Sequence, residues 1–256
     1  MSAALASAGE EAKRNPVILV VGAGDYIGAA IAKRFAAGGL SVAVGRRKAD
    51  PLAPLVAEIE AGGGRARAFA LDARDEANVE AVFATIEREL GALEVVVFNV
   101  GANVQFPIAE TTSRVFRKVW EMACFGGFLT GREAARVMLP RRRGSIFFTG
   151  ATASLRGGKS YAAFASAKFG LRALAQCMAR ELGPEGIHVA HLVIDAGVDT
   201  AFVRERIRAG GGDPAQLPEG SLMNPASIGE AYWMLHQQPR DAWSFELDLR
   251  PHRESW

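Results

Sequence analysis

The sequence predicts a doubly wound α/β fold: a parallel sheet of about seven strands with helices on both faces. Two observations carry that expectation. Short apolar runs alternate along the chain with longer segments of helical period, and glycines separate them. The apolar runs are also continuous rather than alternating, as strands covered on both faces by crossover helices must be.

Taken in order, Val17–Val21 reads as the first strand and Ile27–Ala37 as the first helix, which Gly38-Gly39 ends. Ser41–Val44 is a second strand, Leu52–Ala61 a helix stopped by Gly62-Gly63-Gly64, and Ala66–Leu71 a third strand. Glu76–Leu90 follows as a helix closed at Gly91, and Glu94–Phe98 as a fourth strand. One long helix is predicted over Ser113–Leu139 and a fifth strand over Ser145–Phe148. A helix over Tyr161–Leu182, ended by Gly183-Pro184, precedes a sixth strand over His188–Ile194. Strand–helix alternation of this kind gives right-handed crossovers. No linker or repeat divides the chain, so residues 1–256 read as a single domain, with 1–14 as a flexible tail. Segment 200–224, which holds Gly210-Gly211-Gly212 and Pro214, reads as a substrate loop or lid.

Composition narrows the partners. The chain has 30 basic and 28 acidic residues, a balance that excludes a nucleic-acid-binding face. Its densest basic run, Arg141-Arg142-Arg143, reads as a solvated loop between a helix and a strand. There is no apolar leader and no apolar stretch long enough for a bilayer, so neither a signal peptide nor a membrane partner is expected. A cytoplasmic, reducing location follows as the expectation. Cys124 and Cys177 read as reduced core or interface residues, His188 and His191 as core histidines, and no metal site is expected.

Chemistry begins where the first strand ends. Gly22-Ala23-Gly24-Asp25-Tyr26-Ile27-Gly28 joins that strand to the helix it opens. Glycines there let the backbone turn sharply and approach a pyrophosphate, whose charge rests on the helix N-terminus. The competing reading is a plain strand-to-helix turn. About 20 residues further on, NAD sites place an acid for the ribose 2′-hydroxyl. Here the chain reads Gly45-Arg46-Arg47-Lys48, with no acid until Asp50. An acid would repel a 2′-phosphate and guanidinium groups would grip it, so NADP(H) is expected over NAD(H). Against this stands a merely solvated basic turn.

These motifs, with others in order over nearly the whole chain, resemble the short-chain dehydrogenase/reductase family. Leu71-Asp72 looks like its adenine-side acid, and Phe98-Asn99-Val100-Gly101 is similar to its Asn-Asn-Ala-Gly element with the first Asn lost. Phe164-Ala165-Ser166-Ala167-Lys168 sits where the Tyr-x-x-x-Lys motif belongs. Asp195-Ala196-Gly197-Val198-Asp199-Thr200 lies where the family has Pro-Gly-x-Val-x-Thr beside the nicotinamide, and Phe245–Pro251 looks like the last strand and tail. The resemblance implies a dinucleotide held by Gly22, Gly24, Asp25, Tyr26, Ile27, Gly28, Arg46, Arg47, Asp72, Ala73, Asn99, Gly101, Lys168 and Val198. It implies a small-molecule substrate, and a homodimer or homotetramer assembled through the Ser113–Leu139 helix and the C-terminal strand.

The departures from the family pattern are chemical. The Tyr position is Phe164, the Ser position Ala151 and the Asn position Ala123, which leaves Lys168. Tyr26 stands where a glycine is expected and Val21 where a Thr is. A phenol that gives or takes the substrate proton is worth 10²–10⁴-fold, and a Ser donor to the developing alkoxide adds a further term. The expectation is therefore an atypical NADP(H)-binding oxidoreductase acting on a small, apolar, carbonyl-like compound. Lys168 would be assisted by Tyr161, on the same helix face as Phe164, or by Asp195 if burial raised its pKa. Packing or capping roles are open for both residues. Thr149, Thr152 and Asn103 are further candidates, and Phe98, Phe106, Leu155 and Phe164 are expected cleft walls. The rival expectation is a catalytically degenerate pseudoenzyme acting as sensor, scaffold or oligomer partner.

Overall fold

A computed structural model describes residues 16–254. The strands are β1 (Val17–Val21), β2 (Ser41–Arg46), β3 (Ala66–Ala70), β4 (Leu93–Phe98), β5 (Gly144–Thr149), β6 (Ile187–Ile194) and β7 (Glu246–Leu249). All pair in parallel, in the order β3-β2-β1-β4-β5-β6-β7. Chain order reverses between β1 and β4, so a crevice opens at the carboxyl ends of these two strands, where such sheets bind ligands.

The helices are α1 (Ile27–Ala37), α2 (Ala53–Ala61), α3 (Glu76–Glu89), α4 (Ser113–Trp120), α5 (Gly126–Met138), α6 (Ala162–Leu182), α7 (Ala201–Ala209) and α8 (Pro225–His236). Alternate residues of β1 serve different cores. Ile18 and Val20 pack with Phe35, Ile59 and Tyr232 from α1, α2 and α8, whereas Val17, Leu19 and Val21 pack with Phe83, Leu129 and Leu171 from α3, α5 and α6. Burial on both faces is the physical reason that the strand is apolar throughout.

Three expectations need correction. The helix predicted over Ser113–Leu139 is broken by a π turn at Glu121–Phe125, and only α4 and α5 on either side are α-helical. The Leu52–Ala61 helix begins as a 3₁₀ turn at Asp50–Leu52. Of the core and interface alternatives for the two cysteines, the core one fails for Cys177, which is exposed, while Cys124 is buried. The basic run ends in individual ion pairs: Arg141 with Glu87, Arg142 with Glu185 and Arg143 with Glu94. Among the described residues no helix is long and apolar enough to cross a membrane. The tail expected over residues 1–14 lies outside the described residues.

Candidate active site

The glycine turn is built by close approach. Gly22 has φ +83°, and a Cβ there would lie 2.9 Å from the Asn99 carbonyl oxygen. A Cβ on Gly28 would lie 2.8 Å from Ala23 Cα, whereas beside Gly24 the space is open. The Gly22 and Ala23 amides donate to the Gly45 carbonyl at 2.8 and 3.0 Å. Asn99 Nδ2 donates to the Gly22 carbonyl at 3.2 Å, and Thr149 Oγ1 donates to Asn99 Oδ1 at 3.0 Å. With its proton so used, Thr149 accepts from the Tyr232 hydroxyl at 2.6 Å. Burial pushes the Tyr232 phenol up, which keeps it a donor. This chain of bonds ties the ends of β1, β4 and β5 to α8 and fixes the crevice.

Two cavities meet in that crevice, sharing Asn99, Val100 and Gly101. The first, of about 770 Å³, is lined by Gly22, Gly24, Arg46, Arg47, Lys48, Asp72, Ala73 and Arg74, among others. Arg74 grips Asp72 through Nε and Nη2 at 2.9 and 2.6 Å, and that bond holds the carboxyl below its usual range. Arg46, Arg47 and Lys48 form no ion pair with a carboxylate among the described residues. A glycine cradle ending at Arg46, Arg47 and Lys48, of which Arg47 acts on Asp72 only at longer range, fits a dinucleotide.

The second cavity, of about 500 Å³, has apolar walls from Ile27, Val100, Ala151, Ala153, Phe164, Ile194 and Ala196. Of the expected walls, only Phe164 lines it. Phe98 is core, Phe106 faces solvent, and Leu155 does not reach the lining. Lys168, 2% exposed, donates from Nζ to the Thr149 carbonyl at 2.8 Å and the Val100 carbonyl at 3.3 Å. Burial pulls its ammonium down to about 8. Nζ lies 5.9 Å from the centre of the Phe164 ring. Ala151 is in the wall, Ala123 is fully buried in the π turn, and Ser154 Oγ accepts from the Ala151 amide at 3.1 Å. Tyr161 lines the cavity, but as the residue before α6 rather than within it.

Asp195 is placed differently from its expected role. It is fully buried and absent from the cavity lining, where its neighbours Ile194 and Ala196 stand. Its carboxylate accepts from Thr152 Oγ1 at 2.5 Å and pairs with Arg156 at 3.3 Å and Arg250 at 3.2 Å. That arrangement is a structural cross-link between the β5 end and the C-terminal strand, and it also occupies the Thr152 hydroxyl. Asn103 lines the cavity, as expected. Of the expected cofactor residues, Asp25, Tyr26, Gly28 and Val198 line neither cavity. Val198 is buried in a bridge to Met223, and the Tyr26 hydroxyl accepts from the Ala201 amide at 2.9 Å. His191 lies behind Gly150: its Nδ1 is 3.0 Å from Glu246 Oε2, and burial pulls its imidazolium down to about 4. Sequence reasoning missed Arg74, Arg206 and Tyr232, whose partners are distant in the chain or have no motif spacing.

Residues 16–209 match the family described as short chain dehydrogenase. A short-chain dehydrogenase/reductase of Armillaria gallica is 34% identical over 176 residues, covering 68% of this chain and 67% of that one. The crystal structure of a short-chain dehydrogenase from Rhodopseudomonas palustris is 56% identical, with a TM-score of 0.80 over 93% of this chain and 100% of that one. An alcohol dehydrogenase from the archaeon Thermococcus sibiricus, complexed with 5-hydroxy-NADP, is 26% identical, with a TM-score of 0.81 over 94% of this chain and 98% of that one.

Proposed function

The chain belongs to the short-chain dehydrogenase family, and from that premise we propose that it is an NADP(H)-dependent oxidoreductase with a non-standard active site. Its substrate is a small, largely apolar, carbonyl-like compound. The observation that carries the reading is the joined crevice, with Arg46 and Arg47 at one end and Lys168 beside an apolar cavity at the other. The NADP derivative in the alcohol dehydrogenase of similar fold supports the choice of nucleotide. A bound nicotinamide dinucleotide supplies hydride-transfer chemistry.

Around that group each residue has a task. Gly22 and Gly24 let the backbone approach the pyrophosphate, Arg46 and Arg47 hold the 2′-phosphate, and Asp72 meets the adenine. Lys168 binds the nicotinamide ribose. In this reading Phe164, Ala151 and Ala123 replace the family's Tyr, Ser and Asn, so proton delivery passes to Tyr161. Its hydroxyl oxygen accepts from Arg206 Nη2 at 2.6 Å, which leaves the phenolic proton for an acceptor in the cavity. Tyr161→Phe is expected to lower kcat by about 10²–10⁴-fold with NADPH affinity unchanged. Steady-state kinetics on a panel of aldehydes, ketones, imines and enones checks this, and a Tyr161→Phe variant as fast as the parent would refute that role.

A second reading, a degenerate dinucleotide-binding sensor or scaffold, is favoured by one observation. Lys168 is committed to two backbone carbonyls and Asp195 to two arginines, leaving few proton carriers. An NADPH-binding protein that turns over nothing in the panel would establish it. We also assign a homo-oligomer, supported by exposed Phe116 and Trp120 on α4, Phe128 on α5 and Phe169 on α6. Light scattering should give a dimeric or tetrameric mass, and a monomer at micromolar concentration would contradict it.

A further inference from the structure

We propose that the second cavity selects a small molecule carrying a carboxylate beside its apolar body, and that Arg206 on α7 recognises that charge. The inference rests on the reading of this cavity as the substrate site. It begins with a charge inventory of one short helix. Of the three arginines of α7, Arg204 pairs with Asp199 at 2.5 Å and Arg208 with Glu205 at 3.2 Å. Arg206 pairs with no carboxylate among the described residues. Its hydrogen bonds go from Nη2 to the Tyr161 hydroxyl at 2.6 Å and to Gln105 Oε1 at 2.9 Å. Both acceptors are neutral. They orient the guanidinium without cancelling its charge, and both use the same nitrogen, leaving Nη1 and Nε each free to donate a single bond to an anion.

The surroundings give that charge its consequence. Tyr161, which Arg206 touches, lines the cavity, and no carboxylate is among the lining residues. The two cations that line the cavity have other tasks: Arg156 pairs with Asp195, and Lys168, held by the Thr149 and Val100 carbonyls, serves the nicotinamide ribose in the reading above. Arg206, exposed and outside the lining but bonded to Tyr161 in the cavity wall, is thus a cation without a carboxylate partner beside the chamber, placed to attract an anion and reject an ammonium group. Its helix is also fixed in place. Thr200 Oγ1 accepts from the Val203 amide at 3.1 Å, and the Ala201 amide donates to the Tyr26 hydroxyl at 2.9 Å, on the glycine turn. One helix therefore rests on the dinucleotide loop at its start and brings Arg206 against Tyr161, in the cavity wall, little more than one turn later.

The test is calorimetric titration of the full chain with phenylacetate and phenylacetamide, each with and without saturating NADPH. These two probes share shape and apolar area and differ in charge. Phenylacetate is expected to bind about tenfold to a hundredfold tighter. Arg206→Gln should abolish that preference at unchanged melting temperature, Arg206→Lys should keep part of it, and high salt should weaken it. Equal affinity for the two probes overturns the proposal, as does a preference that survives Arg206→Gln or no phenylacetate binding at millimolar concentration. The NADPH arms separate the two readings. Carboxylate preference without NADPH binding would sink the oxidoreductase reading alone, and NADPH binding without preference would sink the role of Arg206 alone.

Discussion

Installing tyrosine at 164 together with serine at 151 is expected to raise NADPH-dependent turnover of simple aldehydes by about 10²–10⁴-fold. Each change adds one oxygen to a side chain that already lines the cavity. A phenol titrates near 10 in water and needs a neighbouring cation to work near neutrality. Phe164→Tyr would place it over Lys168, whose Nζ lies 5.9 Å from the present ring and titrates at about 8. Ala151→Ser would add a donor for the developing alkoxide, a term of about 2.7–4 kcal/mol in comparable oxyanion sites. The kcat/KM of the double variant, read beside its melting temperature and NADPH affinity, decides the matter. A folded, NADPH-binding double variant with no gain would mean that these positions do not hold the family's catalytic roles.

Charge reversal at the far end of the crevice should act on binding alone. Arg46→Glu with Arg47→Glu is expected to weaken NADPH binding at least about a hundredfold, since each bond to a charged group contributes roughly 1.5–3 kcal/mol. NADH, which lacks the 2′-phosphate, should lose far less. Both arginines line the first cavity without a carboxylate partner among the described residues, so their reversal breaks no ion pair in the fold. An equal loss for the two nucleotides would show that the pair supports the loop rather than the phosphate.

The sheet was legible because its inner strands are buried on both faces and several helices end at glycines, both of which are local signals. Gly22 and Gly28 were legible for the same reason: a Cβ at either would strike neighbouring backbone. The π turn at Glu121–Phe125 was not, because its residues keep a helical apolar pattern and the extra residue per turn leaves no mark in it. Asp195 misled the reading because its cross-link depends on Arg250, which only the pairing of β6 with β7 brings near. Tyr232 and Arg206 lie outside any motif and became visible through Thr149 and Tyr161, partners far away in sequence.

The most direct measurement is a paired calorimetric titration of the unmodified protein with NADPH and NADH at physiological salt. NADPH should bind with NADH at least about tenfold weaker, the margin expected from one charge-assisted contact. A folded protein that prefers NADH, or binds neither nucleotide, would contradict the assignment of the crevice to NADP(H).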